Sequence, residues 1–170
     1  MLIITLNNFF VQCLIIPVDD KIIMRAAQRN IEPMELAEEY IKAFQDDALA
    51  LGLIVPDQEP RVSTSIQDII EMIQVLIDKG HAYQSQGSVW FSVPSHKKYG
   101  ALSGQKVDEL RSADAGDGKA HKADFALWKA VKPGEPSWES PFGPGRPGWH
   151  IECSAMSKTC LGDQIDIHGG

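Results

Sequence analysis

The sequence predicts an α/β fold carrying an inserted α+β subdomain, and three stretches point to it. Towards the carboxyl end, residues 148–152 read as extended, 153–161 as a helix ending at Gly162, and 165–168 alternate like a strand, which together make a strand, helix, strand unit. In the middle, Ile66, Ile69, Ile70, Ile73, Leu76 and Ile77 recur at helical spacing. Directly after them, residues 82–84 and 89–93 flank Ser85-Gln86-Gly87-Ser88 as a β-hairpin.

The remaining elements follow in order. The apolar start MLIITLNNFFVQCLIIP lacks a basic leader region and a small-residue cleavage site. Asn7, Asn8 and Gln12 interrupt it, so it reads as a strand or an atypical start rather than a targeting or membrane segment. Residues 21–28 suit one short helix. Residues 32–51 suit a longer one, with Pro33 at the first helical position, Ala37, Tyr40, Ile41, Phe44 and Ala48 on one stripe, and Gly52 as terminator. Its acids Glu38, Glu39, Asp46 and Asp47 are expected to face water. Thr64 or Ser65 is the expected cap of the 66–77 helix, and Gly80 lies just past its end.

Residues 94–123 are polar and rich in Gly, Ser, Asp and Lys, which predicts a long surface loop, mobile around 113–119. Between 133 and 148 five prolines and four glycines predict no regular structure, but a stiff segment suited to a pocket wall.

Composition limits the function classes. A chain of 170 residues, 44% hydrophobic and 23% charged, is ordinary for a soluble globular protein. A net charge of −7 argues against a chain that wraps nucleic acid with its whole surface. Cys13, Cys153 and Cys160 have no disulfide-framework spacing, which favours a reducing, cytoplasmic setting.

In an open parallel sheet, ligands bind beyond the carboxyl ends of the strands, where glycine lets a nucleotide approach the backbone. Cys153, at the expected helix start, and His168-Gly169-Gly170, at a strand end, fall on that edge. A helix N-terminus would lower the Cys153 pKa towards the thiolate that zinc binds. Spacing alone leaves Cys153 open as a ligand or a buried small hydrophobe, since Cys160 is seven residues on and forms no CxxC pair. His81, His96 and His121 are expected in solvated turns, with His150 and His168 in structured context.

Residues 124–170, DFALWKAVKPGEPSWESPFGPGRPGWHIECSAMSKTCLGDQIDIHGG, resemble the cysteinyl-tRNA synthetase signature nearly throughout. Upstream, Val18-Asp19-Asp20-Lys21-Ile22-Ile23 resembles the family's VDDKII, Pro60-Arg61 opens a stretch like its PRVS, and Tyr99-Gly100-Ala101-Leu102-Ser103-Gly104 matches YGxLSG. The resemblance implies part of a Rossmann-like class I synthetase catalytic domain with a connective insertion. Residues 1–17 stand apart as atypical, 18–60 form a helical part of the catalytic domain, 61–123 the insertion, and 124–170 the strand, helix, strand segment.

It further implies Cys153 as a zinc ligand, Trp149 as the aromatic floor of a cysteine pocket, and His168, Gly169 and Gly170 as an adenylate-binding turn. The implied reaction joins cysteine and ATP into cysteinyl-adenylate and passes the acyl group to tRNA-Cys. Zinc would separate cysteine from serine by taking the substrate thiolate, a distinction an apolar pocket draws by only a few kcal/mol.

The pattern also departs from the family. No HIGH motif precedes Asp19, Leu14-Ile15-Ile16-Pro17 stands where the family reads NITD, and Ile16 replaces the Thr expected to help hold the amino acid. No FPHHENE-like stretch or KMSKS loop is present, so the expectation is a fragment inactive by itself. Competing readings are a mycothiol-pathway cysteine ligase fragment, a non-catalytic synthetase-like binding module, and a thiol domain built on Cys153 and Cys160.

Overall fold

The computed structural model describes residues 2–5, 10–13, 19–110 and 118–169, and the chain divides into two compact units. The first comprises Met1–Asp68 and Glu152–Gly170, and the second Ile69–Ile151. Strands and helices are numbered in chain order.

In the first unit, β1 (Leu2–Thr5) pairs antiparallel with β2 (Phe10–Cys13) on one side and with β7 (Ile167–His168) on the other. Of the apolar start of the chain, residues 2–5 and 10–13 are thus strand, and the rest lies outside the described residues. Helix α1 (Asp20–Arg29) begins where the Asp19 carboxylate accepts the Lys21 N–H at 2.8 Å, satisfying one of the free amides of the first turn. It ends at Asn30, left-handed at φ 53°, with the Ile31 N–H returning to the Ala26 carbonyl at 3.1 Å. Helix α2 (Pro33–Ala50) starts on Pro33 and packs against α1, burying Leu36, Ala37 and Ile41. Of its expected stripe, Tyr40 and Phe44 are about half exposed, so the buried face is narrower than the periodicity suggested. Glu38 and Glu39 do face water, but paired: Glu39 with Arg29 at 2.9 Å, and Glu38 with Arg61.

The expected middle helix is α3 (Ile66–Asp78), in which Ile69 and Ile73 are fully buried. The Thr64 and Ser65 hydroxyls at its start both donate to the Arg61 carbonyl. At its end the Gly80 and His81 amides bond back to Ile77 and Leu76 at 2.9 and 2.8 Å, an ordered helix stop.

The second unit is built on a four-stranded antiparallel sheet in the order β3-β4-β5-β6: Ala82–Ser85, Ser88–Phe91, Phe125–Ala130 and Gly145–Pro147. Gln86 and Gly87, at φ 51° and 75°, make the tight turn joining β3 to β4, with the positive φ at both positions that matches strand twist. Val89, Val93, Leu127 and Trp128 form its core, none more than 2% exposed.

Three expectations are corrected. The proline-rich stretch is not wholly irregular, because β6 lies at the sheet edge, where Pro147, opposite Trp128, needs to donate no ladder hydrogen bond. Gly145 and Gly148 are required there: a Cβ on Gly145 would overlap the Lys129 carbonyl, and one on Gly148 the Ala126 carbonyl. Helix α4 runs from Trp149 to Leu161, so residues 149–152 are helical rather than extended. Its flanking strands, β6 and β7, belong to different sheets and pair antiparallel, so the segment is not a parallel strand, helix, strand unit. The mixed α/β class stands.

In the long 94–123 segment, Val93–Ser95 and Val107–Glu109 form single short helical turns. The region expected to be mobile, 113–119, lies outside the described residues up to 117. Lys119, by contrast, is seated with its ammonium 5.5 Å from the Trp90 ring centre. Among the described residues no helix is long and apolar enough to cross a membrane.

Candidate functional site

Trp149 opens α4 immediately after the β6 edge, and its ring is 66% exposed. Two features fix the approach to it. The Gly148 amide donates to the Leu127 carbonyl at 2.9 Å, tying the helix start to β5. Two positions earlier, Arg146, 4% exposed, holds Glu135 through Nε to Oε2 at 2.9 Å and Nη2 to Oε1 at 3.3 Å. This forked pair locks the proline-rich segment onto β6. It was not foreseen from the sequence, where Arg146 stood among glycines and prolines with nothing to indicate a partner eleven residues away.

Trp149 also begins a row of rings within the second unit. It stacks on His150 at 6.0 Å between centroids, and His150 meets Phe125 edge-on at 4.8 Å. Phe125 stacks on Phe91, its direct cross-strand partner, at 5.0 Å. Beyond Phe91 lie His81 at 6.4 Å and Tyr99 at 6.1 Å, and His96 meets His81 at 6.3 Å. His81 is therefore not a solvated turn residue: it is half-buried, with Nδ1 at 2.8 Å from the Ser95 hydroxyl. His121 is also engaged, its Nδ1 accepting the Ala123 N–H at 3.2 Å, while His96 is exposed as expected.

A buried polar hub supports the same unit. The Asp124 carboxylate, 0% exposed, accepts from the Tyr83 hydroxyl at 2.7 Å, the Val93 amide at 2.9 Å and the His121 amide at 3.0 Å. Burial, reinforced by the bond to Asp124, pushes the Tyr83 hydroxyl up to about 12.

Cys153 is the fifth residue of α4, past the turn where the free amides lie, so the expected lowering of its pKa does not occur. Burial pushes its thiol up, and the charge of the adjacent Glu152 pushes in the same direction. Cys160 is likewise raised, by burial and then by Asp68. Both are free thiols. His168 ends β7, opposite Ile3 of β1, with Gly169 exposed beyond it; Gly170 lies outside the described residues. Among the described residues no group of three or more His, Cys, Asp or Glu side chains is arranged to hold a metal ion. They therefore do not fit zinc: Cys153 is one donor, and a tetrahedral site needs three or four.

The mixed α/β architecture agrees with what comparison finds. The chain belongs to the tRNA synthetases class I (C) catalytic domain family, which it matches over residues 4–170. That match takes in most of the 1–17 segment the sequence reading had set apart. The chain is similar to proteins named Cysteine--tRNA ligase: 54% identical over 158 residues to that of Alkalilimnicola ehrlichii, covering 90% of this chain and 34% of the relative. It is 55% identical over 156 residues to that of Syntrophotalea carbinolica and 53% over 156 to that of Pyrococcus horikoshii, each again over 90% of this chain, and over 32% and 33% of those relatives. The chain spans about a third of the length of these curated relatives.

Proposed function

We propose that this stretch furnishes part of the amino-acid and adenylate site of a cytoplasmic cysteine-tRNA ligase, which activates cysteine with ATP and transfers it to tRNA-Cys. The observation that carries the reading is Trp149: an exposed indole on a helix start braced from behind by the Arg146–Glu135 pair and the Gly148–Leu127 bond. Large aromatic side chains this exposed at a rigid element's end are suited to forming one wall of a small ligand's pocket. Similarity to proteins named Cysteine--tRNA ligase, over nine-tenths of the chain, favours this reading over the mycothiol-type alternative.

On this reading the Trp149 ring orients cysteine through its apolar face. Cys153, one helical turn further along α4, would be a single sulfur donor, and the described residues do not supply the companion donors a zinc site needs. His168, Gly169 and Gly170 would meet the adenylate, the glycines admitting the nucleotide for want of a side chain.

A chimera tests this. Residues 19–169 replace the matching stretch of the Pyrococcus horikoshii relative, and cysteine-dependent ATP–pyrophosphate exchange is measured. Exchange is expected to persist, and Trp149→Ala within the chimera to raise KM for cysteine by about tenfold or more. A folded chimera with no exchange, or a Trp149→Ala variant with unchanged KM, refutes the assignment.

A further inference from the structure

We propose that the second half of α2, continued by residues 51–55, is a docking face for a basic amphipathic helix of a partner protein. The helix hairpin of the first unit leaves that face open. Helix α1 has ten residues and α2 eighteen, and only residues 30–32 join them, so α1 reaches along little more than the first half of its neighbour. Burial follows the same division: Leu36, Ala37 and Ile41 are buried, and no residue of α2 beyond Ile41 is. The apolar stripe nevertheless runs on. Tyr40, Phe44, Ala48 and Leu51 recur at i, i+4, i+8 and i+11 and so share one face, with Tyr40 and Phe44 about half exposed and Leu51 76% exposed. Leu53, Ile54 and Val55 follow, all exposed.

A contiguous apolar strip on a protein surface marks a contact, and the charge around it says with what. Residues 32–59 hold eight Asp and Glu and a single base, Lys42, while the remaining residues of the chain hold fifteen acids and fifteen bases. The whole net charge of −7 thus resides in this stretch. Glu38 and Glu39 are matched by Arg61 and Arg29, which lie outside it. Asp47, three residues after Phe44 and four before Leu51, borders the stripe itself and is exposed, as is Asp46.

Exposed apolar side chains joined to this charge select the occupant. Phosphate backbones and anionic lipid surfaces are repelled, and so is a second copy, which would set the same acidic stretch against itself. A helix with Lys and Arg around an apolar stripe meets both demands. Its apolar side chains continue along α2 the packing that α1 begins, and its cations meet Asp46 and Asp47 at the border.

Fluorescence anisotropy tests this with a labelled peptide of Leu and Lys, about five helical turns long, whose leucines form one helical face. Two comparators accompany it: the same composition scrambled so that no apolar face forms, and the same pattern with Glu for Lys. The patterned basic peptide is expected to bind the 170-residue chain at least about tenfold more tightly than either. Phe44→Asp/Ile54→Asp is expected to weaken that binding by about tenfold or more. Asp46→Lys/Asp47→Lys, which leaves every apolar residue in place, is expected to weaken it and to reduce its salt dependence, with circular dichroism checking that both variants stay helical. The peptide is also expected to bind the chimera described above as it binds the chain. Equal binding of the scrambled or acidic peptide, folded variants that bind like the parent, a dimer that Phe44→Asp/Ile54→Asp dissociates in sedimentation, or a chimera that no longer binds because the rest of the ligase covers the face, each overturns the proposal. No cysteine or ATP is present, so failure here is separable from failure of the exchange assay.

Discussion

Two carboxylates show how differently the two units are held together. Asp124 in the second unit has no exposure and accepts three hydrogen bonds, one from a side chain and two from backbone amides of separate segments. Glu38 in the first unit is half exposed and meets a single partner, Arg61, on a helix surface. Water already solvates Glu38, so its ion pair adds little, whereas removing Asp124 strands the buried Val93 amide and two half-buried donors at once. Both units have an apolar core, Trp128 and Leu127 in the second and Leu36 and Met156 in the first, and the first leaves Leu51, Ile54 and Val55 beyond α2 more than 70% exposed. The second unit is the firm frame from which Trp149 projects.

The sharpest way to break that frame is Trp128→Ala. The indole is fully buried, packs edge-on against Phe142 at 6.3 Å and donates to the Gly143 carbonyl at 3.2 Å. Its loss is expected to destabilise the protein by about 3–5 kcal/mol in urea denaturation. Asp124→Ala comes next: several donors lose their acceptor at once, at about 1–3 kcal/mol for each one left unsatisfied, and the same denaturation curves report it.

A smaller effect is expected from alkali. The Tyr83 hydroxyl is raised from 10 to about 12 in the folded protein, so the native state holds a proton that the unfolded chain releases first. The stability this confers is complete below pH 10 and declines as pH rises through 12. Tyr83→Phe is expected to flatten the decline, as seen by circular dichroism melts across that range. Smallest is Glu38→Ala, which should change stability by no more than about 1 kcal/mol. A loss as large as that of Asp124→Ala would erase the contrast between the units.

What could be read from the sequence follows the range of the interactions involved. Helix α3 and the β3–β4 hairpin were legible because their signals are local: isoleucines on one helical stripe, and a Gln-Gly turn between alternating residues. The start of α4 was misplaced because Pro147 and Gly148 read as breakers. Only the Trp128–Pro147 register shows Pro147 to be an edge-strand residue and Gly148 a point of close backbone approach. That error carried over to Cys153, whose thiol was expected at a helix start and lies a turn inside. The ring row was invisible because Phe91 and Phe125 meet through cross-strand register and His81, Tyr99 and His150 reach them from turns and from α4. Trp149 and Cys153 themselves were singled out by resemblance, since no spacing rule distinguishes a pocket tryptophan from a core one.

On the proposed reading Trp149 is a pocket wall and Cys153 one sulfur, and the described residues do not include the further donors that would hold zinc for cysteine activation. The most direct measurement is ATP–pyrophosphate exchange with cysteine on the purified 170-residue chain. The expected result is exchange no faster than background, with or without added zinc; cysteine-dependent exchange above background would contradict the account.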